Sequence, residues 1–218
     1  HEINTPLAVI QIYADQILEG IEDGNLDHDF LKQASISIDQ TVKRISKIIQ
    51  GLRSFARDGK KDPLILHPLR QIIDETFSLC KERFTNNGVS LEMSCPSEIM
   101  SSCRPGEISQ VLLNLLNNSY DAIQKLPEKW IKIETVNAAG ELKVYVTDSG
   151  SGVPREVQEK MMQPFFTTKE IGKGTGLGLS ISKGIIESHG GSLALDPSCP
   201  HTRFCLSFPK IEITKEAV

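Results

Sequence analysis

Apolar residues recur at alternating steps of three and four from Ile3 through Leu7, Ile10, Ala14 and Ile17 to Ile21, and this stripe predicts one face of an amphipathic helix. The polar run EDGNLD, residues 22–27, interrupts it and offers Asp27 as the N-cap of a second helix. A second stripe then passes through Leu31, Ala34, Ile38, Thr41, Ile45, Ile48, Leu52 and Phe55. The two together predict a long antiparallel helical hairpin over residues 1–57. Such a hairpin carries more Leu and Ile than it can bury against itself, so pairing with a second copy into a four-helix bundle is the expected solution, a homodimer. Ile3 already sits inside the pattern, and an upstream stretch of the first helix is expected to be missing from the chain.

The run DGKKDP ends in Pro63 and predicts a linker over 58–66. Beyond it the texture changes. Leu69, Ile72, Ile73, Thr76, Phe77 and Cys80 predict a helix over about 69–86, VSLEMSC alternates as a strand should, and a strongly apolar helix opens near Pro105. WIKIETVNA and ELKVYVTDSG read as two strands joined at Ala139-Gly140. GLGLSISKGIIESHGG reads as a helix that starts near Gly176 and is stopped by Gly190 and Gly191, with strands SLALD and RFCLSFP after it. The predicted class is therefore α+β: the helical hairpin, then an α/β sandwich over 67–218 with a mixed sheet and helices on one face.

Composition narrows the function. With 24 basic and 28 acidic residues the formal net charge is −4, which provides no broad positive field for nucleic acid or anionic lipid. The five cysteines form no C-x-x-C pair and read as reduced, mostly buried thiols of a cytosolic protein. No apolar run approaches the roughly 20 residues that span a bilayer, so no direct membrane contact is expected of this stretch.

The opening HEINTPL excludes a zinc helix, because the position four residues after His1 holds Thr5 and not a second His. At about 100° per residue His1 points about 200° away from the apolar stripe, with Thr5 only about 40° and Ile12 about 20° from it. An exposed Ile beside an outward His suggests a docking surface. Pro6 is expected to bend the helix beside His1.

Four elements of the second half carry candidate chemistry. Asn114 and Asn118 share a helix face, and two carboxamides on so apolar a helix require partners: either a buried amide network, or a hard cation shared with phosphate oxygens. Asp148 ends a strand before SGSGVP, where glycines allow a ligand close, and its carboxylate suits an exocyclic amine. PFFTTKEIGKG has the composition of a mobile flap from which Lys169 and Lys173 reach phosphates. The glycines of GKGTGLGL precede a helix start, a common phosphate cradle. Neither G-x-x-x-x-G-K-[ST] nor a strand-linked G-x-G-x-x-G is present.

Taken in order, these stretches resemble the sensor histidine kinases of two-component systems. HEINTPL resembles the H box, QVLLNLLNNSYDA the N box, DSGSGVP the first glycine box, PFFTTK the F box and GKGTGLGLS the second glycine box. The resemblance covers essentially the whole chain. It implies a dimerisation and phosphotransfer hairpin joined to an ATP-binding domain of the Bergerat type, with ATP and Mg2+ bound and a response regulator receiver domain as partner. By motif position it implies His1 as phospho-acceptor, Glu2 as the residue that orients its imidazole, Asn118 at the magnesium with Asn114 assisting, and Asp148 at the adenine amine. It further implies Gly150 and Gly152 shaping the base site, Lys169 with the backbone of Gly174, Gly176 and Gly178 on the phosphates, and Thr202 behind the adenine. Thr5 would orient the water of a phosphatase reaction. His201 departs from the pattern, since many relatives have Gly before that Thr. A catalytically silent scaffold is the competing reading, although a drifted chain would be expected to have lost at least one of His1, Asn118 and Asp148. A gyrase-type or chaperone-type ATPase is disfavoured because Asn114 stands where those enzymes place a carboxylate.

Overall fold

The computed structural model describes residues 4–56, 63–138, 141–170 and 174–209. His1, Glu2 and Ile3, linker residues 58–62, the turn Ala139-Gly140 and Lys173 lie outside the described residues. Two compact units result: the N-terminal hairpin together with Pro164–Leu177, and the remainder.

The hairpin comprises α1 (Asn4–Glu22) and α2 (His28–Ala56). Asp27 caps α2 as its sequence position implies, its carboxylate accepting from the amides of Asp29 and Phe30 at 3.3 Å each. The stripe of α2 points inward, with Ala34 and Ile48 buried and Leu31, Ile38, Thr41 and Ile45 half-buried. On α1 the stripe is only partly covered: Ile10, Ala14 and Ile17 are half-buried, but Leu7 and Ile21 are exposed. Pro6 lies inside α1 and is buried.

The second unit opens with β1 (Ile65–Pro68), so the last two residues of the predicted linker are strand. β1 pairs antiparallel with a second short strand, labelled β3 (Met100–Cys103). Between them lie α3 (Leu69–Asn86) and β2 (Ser90–Ser94). Then follow α4 (Pro105–Ile123), β4 (Trp130–Ala138), β5 (Glu141–Asp148), a one-turn α5 (Arg155–Gln158), α6 (Gly178–Ser188), β6 (Ser192–Leu195) and β7 (Thr202–Pro209). The main sheet runs β2-β4-β5-β7-β6, with β2 parallel to β4 and the other pairs antiparallel. That is the mixed sheet its sequence predicts.

One face of the sheet is dry. Val144, Val146, Phe204, Leu206 and Phe208 alternate inward, while Lys143, Tyr145, Arg203 and Cys205 take the other face. Against the dry face lies α4, whose Ile108, Val111, Leu112, Leu115, Leu116 and Ile123 are fully buried. Each such side chain contributes about 1.5–3 kcal/mol on leaving water. A polar clamp joins the start of α4 to the end of α6. His189 Nε2 accepts the Arg104 amide at 3.0 Å while Nδ1 donates to the Ile185 carbonyl at 2.7 Å, and the Arg104 guanidinium donates to Glu107 at 2.8 Å and to Ser188 Oγ at 3.0 Å. Both imidazole nitrogens are thereby used in the interior. Burial raises the thiols of Cys80, Cys95 and Cys103 above the ordinary range, and also that of the half-buried Cys205.

Candidate nucleotide site

Asp148 is the last residue of β5 and is paired across the sheet with Thr202, the first residue of β7. Only 1% of it is exposed. Its carboxylate accepts the Gly150 amide at 2.9 Å and is hydrogen-bonded by Ser119 and Thr202. Burial nevertheless pushes the carboxyl above its usual range; the three hydrogen bonds and the nearby His201 pull it partly back. A buried carboxylate bonded only by neutral donors on a strand end is an acceptor held ready for a donor brought by a ligand.

Gly150 is required by close approach: a Cβ there would lie 2.8 Å from Asp148 Oδ1 and 2.9 Å from Thr202 Oγ1. Gly152 follows at φ 93°. Ser119 on α4 is a site residue that sequence reasoning missed. It sits on the buried side of that helix, next to Asn118, and its hydroxyl has no apolar explanation.

Asn114 and Asn118 stand one turn apart on α4 as predicted. Asn114 has a protein partner: its Nδ2 donates to Ser182 Oγ on α6 at 2.9 Å, and a Cβ on Gly178 would run into its carboxamide oxygen. Ser182 is thus a partner of Asn114 that the sequence did not single out. Asn118 keeps a half-buried place at the end of α4 beside Ser119. Among the described residues no group of three or more His, Cys, Asp or Glu gathers to hold a metal. A hard cation here would take a carboxamide oxygen from the protein and other oxygens from a ligand, which suits Asn118.

α6 begins at Gly178, two residues later than its sequence suggests, because Gly176 has φ 65° and cannot enter a right-handed helix there. A Cβ on Gly176 would overlap the backbone of Phe165, which itself has φ 68°. Gly174 is close-packed in the same way, under Thr167 Oγ1 and the Lys169 side chain. The Lys169 amide donates to Thr167 Oγ1 at 3.1 Å. The structure therefore unites Asn114, Asn118, Asp148, Gly150, Gly152, Gly178 and Thr202 in one unit, while Lys169, Gly174 and Gly176 belong to Pro164–Leu177 in the other. Thr5 lies exposed on α1.

Residues 103–212 match the family of histidine kinase-, DNA gyrase B- and HSP90-like ATPases, and residues 1–60 match the His kinase A (phospho-acceptor) domain. The chain belongs to the sensor histidine kinases. This sensor kinase is 30% identical over 96% of its length to the C4-dicarboxylate transport sensor protein DctB of Rhizobium meliloti, and 31% identical over 96% to sporulation kinase A of Bacillus subtilis. It spans 33% of each, about a third of the length of the curated relatives it matches. Among solved structures, histidine kinase ThkA in complex with the response regulator protein TrrA matches 96% of the kinase chain and 59% of its own chain, at TM-score 0.72 and 26% identity. The isolated ThkA catalytic domain matches 68% of the kinase chain and 97% of its own, at TM-score 0.61 and 32% identity. Among the described residues of the kinase no helix is long and apolar enough to cross a membrane.

Proposed function

We propose that this chain binds ATP with magnesium, phosphorylates itself on His1 and passes the phosphoryl group to an aspartate of a response regulator. The observation that carries the reading is the buried Asp148 carboxylate in its Ser119, Gly150 and Thr202 cradle, set beside the Asn118 end of α4. Asp148 accepts from the adenine amine and Thr202 backs the ring. Lys169 and the amides of Gly174, Gly176 and Gly178 take the phosphates. Magnesium, held through Asn118 with Asn114 close by, supplies charge neutralisation when bound.

A ring nitrogen of His1, oriented by Glu2, bonds to the γ-phosphorus as the bond to the β–γ bridging oxygen breaks and ADP leaves with the electron pair. A receiver carboxylate oxygen then takes the phosphoryl group, and the imidazole is restored. Thr5, on the exposed face of α1, orients water for hydrolysis of the regulator's aspartyl phosphate. The ThkA structure, which contains its response regulator, supports the partner. Leu7, Ile12, Leu18, Ile21, Ile36, Val42 and Ile49, all exposed on the hairpin, support a homodimer in which a second copy covers part of that surface. Of these, the exposed Ile12 suits the regulator rather than the second copy.

Incubation with γ-labelled ATP tests the reading. The expected label is acid-labile and alkali-stable, is lost in His1→Gln, and moves to a cognate receiver; Thr5→Ala keeps labelling but slows loss of label from the receiver. An ADP-binding protein that never labels would instead be a silent scaffold.

A further inference from the structure

The turn that carries Asp148 is held from two sides, by the start of β4 and by the start of β7. From one side comes Trp130, at the start of β4. Its carbonyl accepts the Ser149 amide at 3.1 Å, its amide donates to Ser149 Oγ at 3.4 Å, and that hydroxyl donates to the Glu128 carbonyl at 2.9 Å. From the other side comes the start of β7. The Gly150 carbonyl accepts the Thr202 amide at 3.1 Å and lies 3.3 Å from His201 Nδ1. A carbonyl oxygen only accepts, so Nδ1 is the protonated nitrogen in this contact.

The two sides meet. The Trp130 and His201 rings pack edge to face, centroids 4.8 Å apart and planes at 77°. Trp130 therefore holds Ser149 with its backbone and the His201 ring with its indole. Gly150 is the link to Asp148: its carbonyl is gripped by His201 and Thr202, and its amide donates to Asp148 Oδ1 at 2.9 Å. Glycine has the widest choice of backbone angles, so an amide on this residue points reliably only if the rest of the residue is tied down.

We infer that His201, braced by Trp130, is a positioning residue for base recognition: it fixes Gly150 and, through the Gly150 amide, the acceptor oxygen of Asp148, and so sets the preference for a base with an exocyclic amine over one with a carbonyl there. The inference rests on the reading of Asp148 as the adenine acceptor. An amine donates to a carboxylate, whereas the carbonyl of hypoxanthine opposes it with a second acceptor. Loosening the carboxylate weakens the first contact and relieves the second, so discrimination falls from both ends.

Trp130 is the only tryptophan of the chain and reports on the site directly. Its emission is followed while wild type, His201→Ala and His201→Asn are titrated with ADP and with inosine diphosphate in magnesium buffer. Wild type prefers ADP. In His201→Ala the ADP affinity falls about fivefold to tenfold, the scale of one hydrogen bond, and the inosine diphosphate affinity rises; His201→Asn, which retains an N–H donor, recovers most of the preference. The ratio of the two affinities is internal to each protein, so partial unfolding cancels. An unchanged ratio in His201→Ala, or no recovery in His201→Asn, overturns the positioning role. A wild type that binds both nucleotides alike overturns the Asp148 reading, and this inference with it.

Discussion

The surroundings of Asp148 disfavour its ionised form. Burial holds its carboxyl above the ordinary 3.8. An acid whose pKa is raised by folding adds stability that is complete below the unfolded value and is lost as pH rises through the folded one. Near pH 7 the carboxylate is therefore a net cost to the fold, tolerated for binding. Asp148→Asn should raise the melting temperature of the sheet unit at pH 7, by about 2–4 °C for each kcal/mol relieved, with the gain shrinking toward pH 4. The same change should weaken ADP binding by about tenfold or more. Melting curves across pH, paired with nucleotide titration, check both signs. Asp148 was legible in sequence because a strand-end Asp before glycines is a local signal. Ser119, Ser182 and Trp130 were not, because their partners lie far along the chain and each alone resembles an ordinary core or surface residue; His201 stood out as a departure before Thr202, but its contacts with Gly150 and Trp130 did not.

Among the elements, those built on long periodic patterns were readable to within a residue or two. α3 occupies the predicted 69–86 because its apolar spacing is regular and Pro68 stands at its N-cap. β1 and β3 carried no signal: ILHP and MSSC are four residues each, without alternation, and pair only with one another. The start of α6 was not legible, because a glycine in the left-handed region looks, in sequence, like one inside a helix. Asp27 is a cleaner case. Asp27→Ala removes acceptors for two α2 amides and should cost about 1 kcal/mol, visible as a lower melting point of the hairpin with the sheet unit unchanged.

Across the molecule, two compact units predict two calorimetric transitions rather than one. The hairpin transition should rise with protein concentration if a second copy covers its exposed Leu and Ile. The sheet transition should rise instead with ADP, by about 2.7 kcal/mol at one hundred times the dissociation constant. A single transition indifferent to both would contradict the division.

The strand order also dictates a sequence of events during synthesis. β7 follows every other described strand in the chain, yet it lies inside the sheet between β5 and β6 and supplies Thr202 opposite Asp148. The hairpin needs only neighbours close in sequence and can form as soon as it leaves the ribosome. The sheet cannot close until β7 arrives, so the nascent hairpin stands folded, its exposed Leu and Ile already presented, before the chain is able to assemble Thr202 against Asp148.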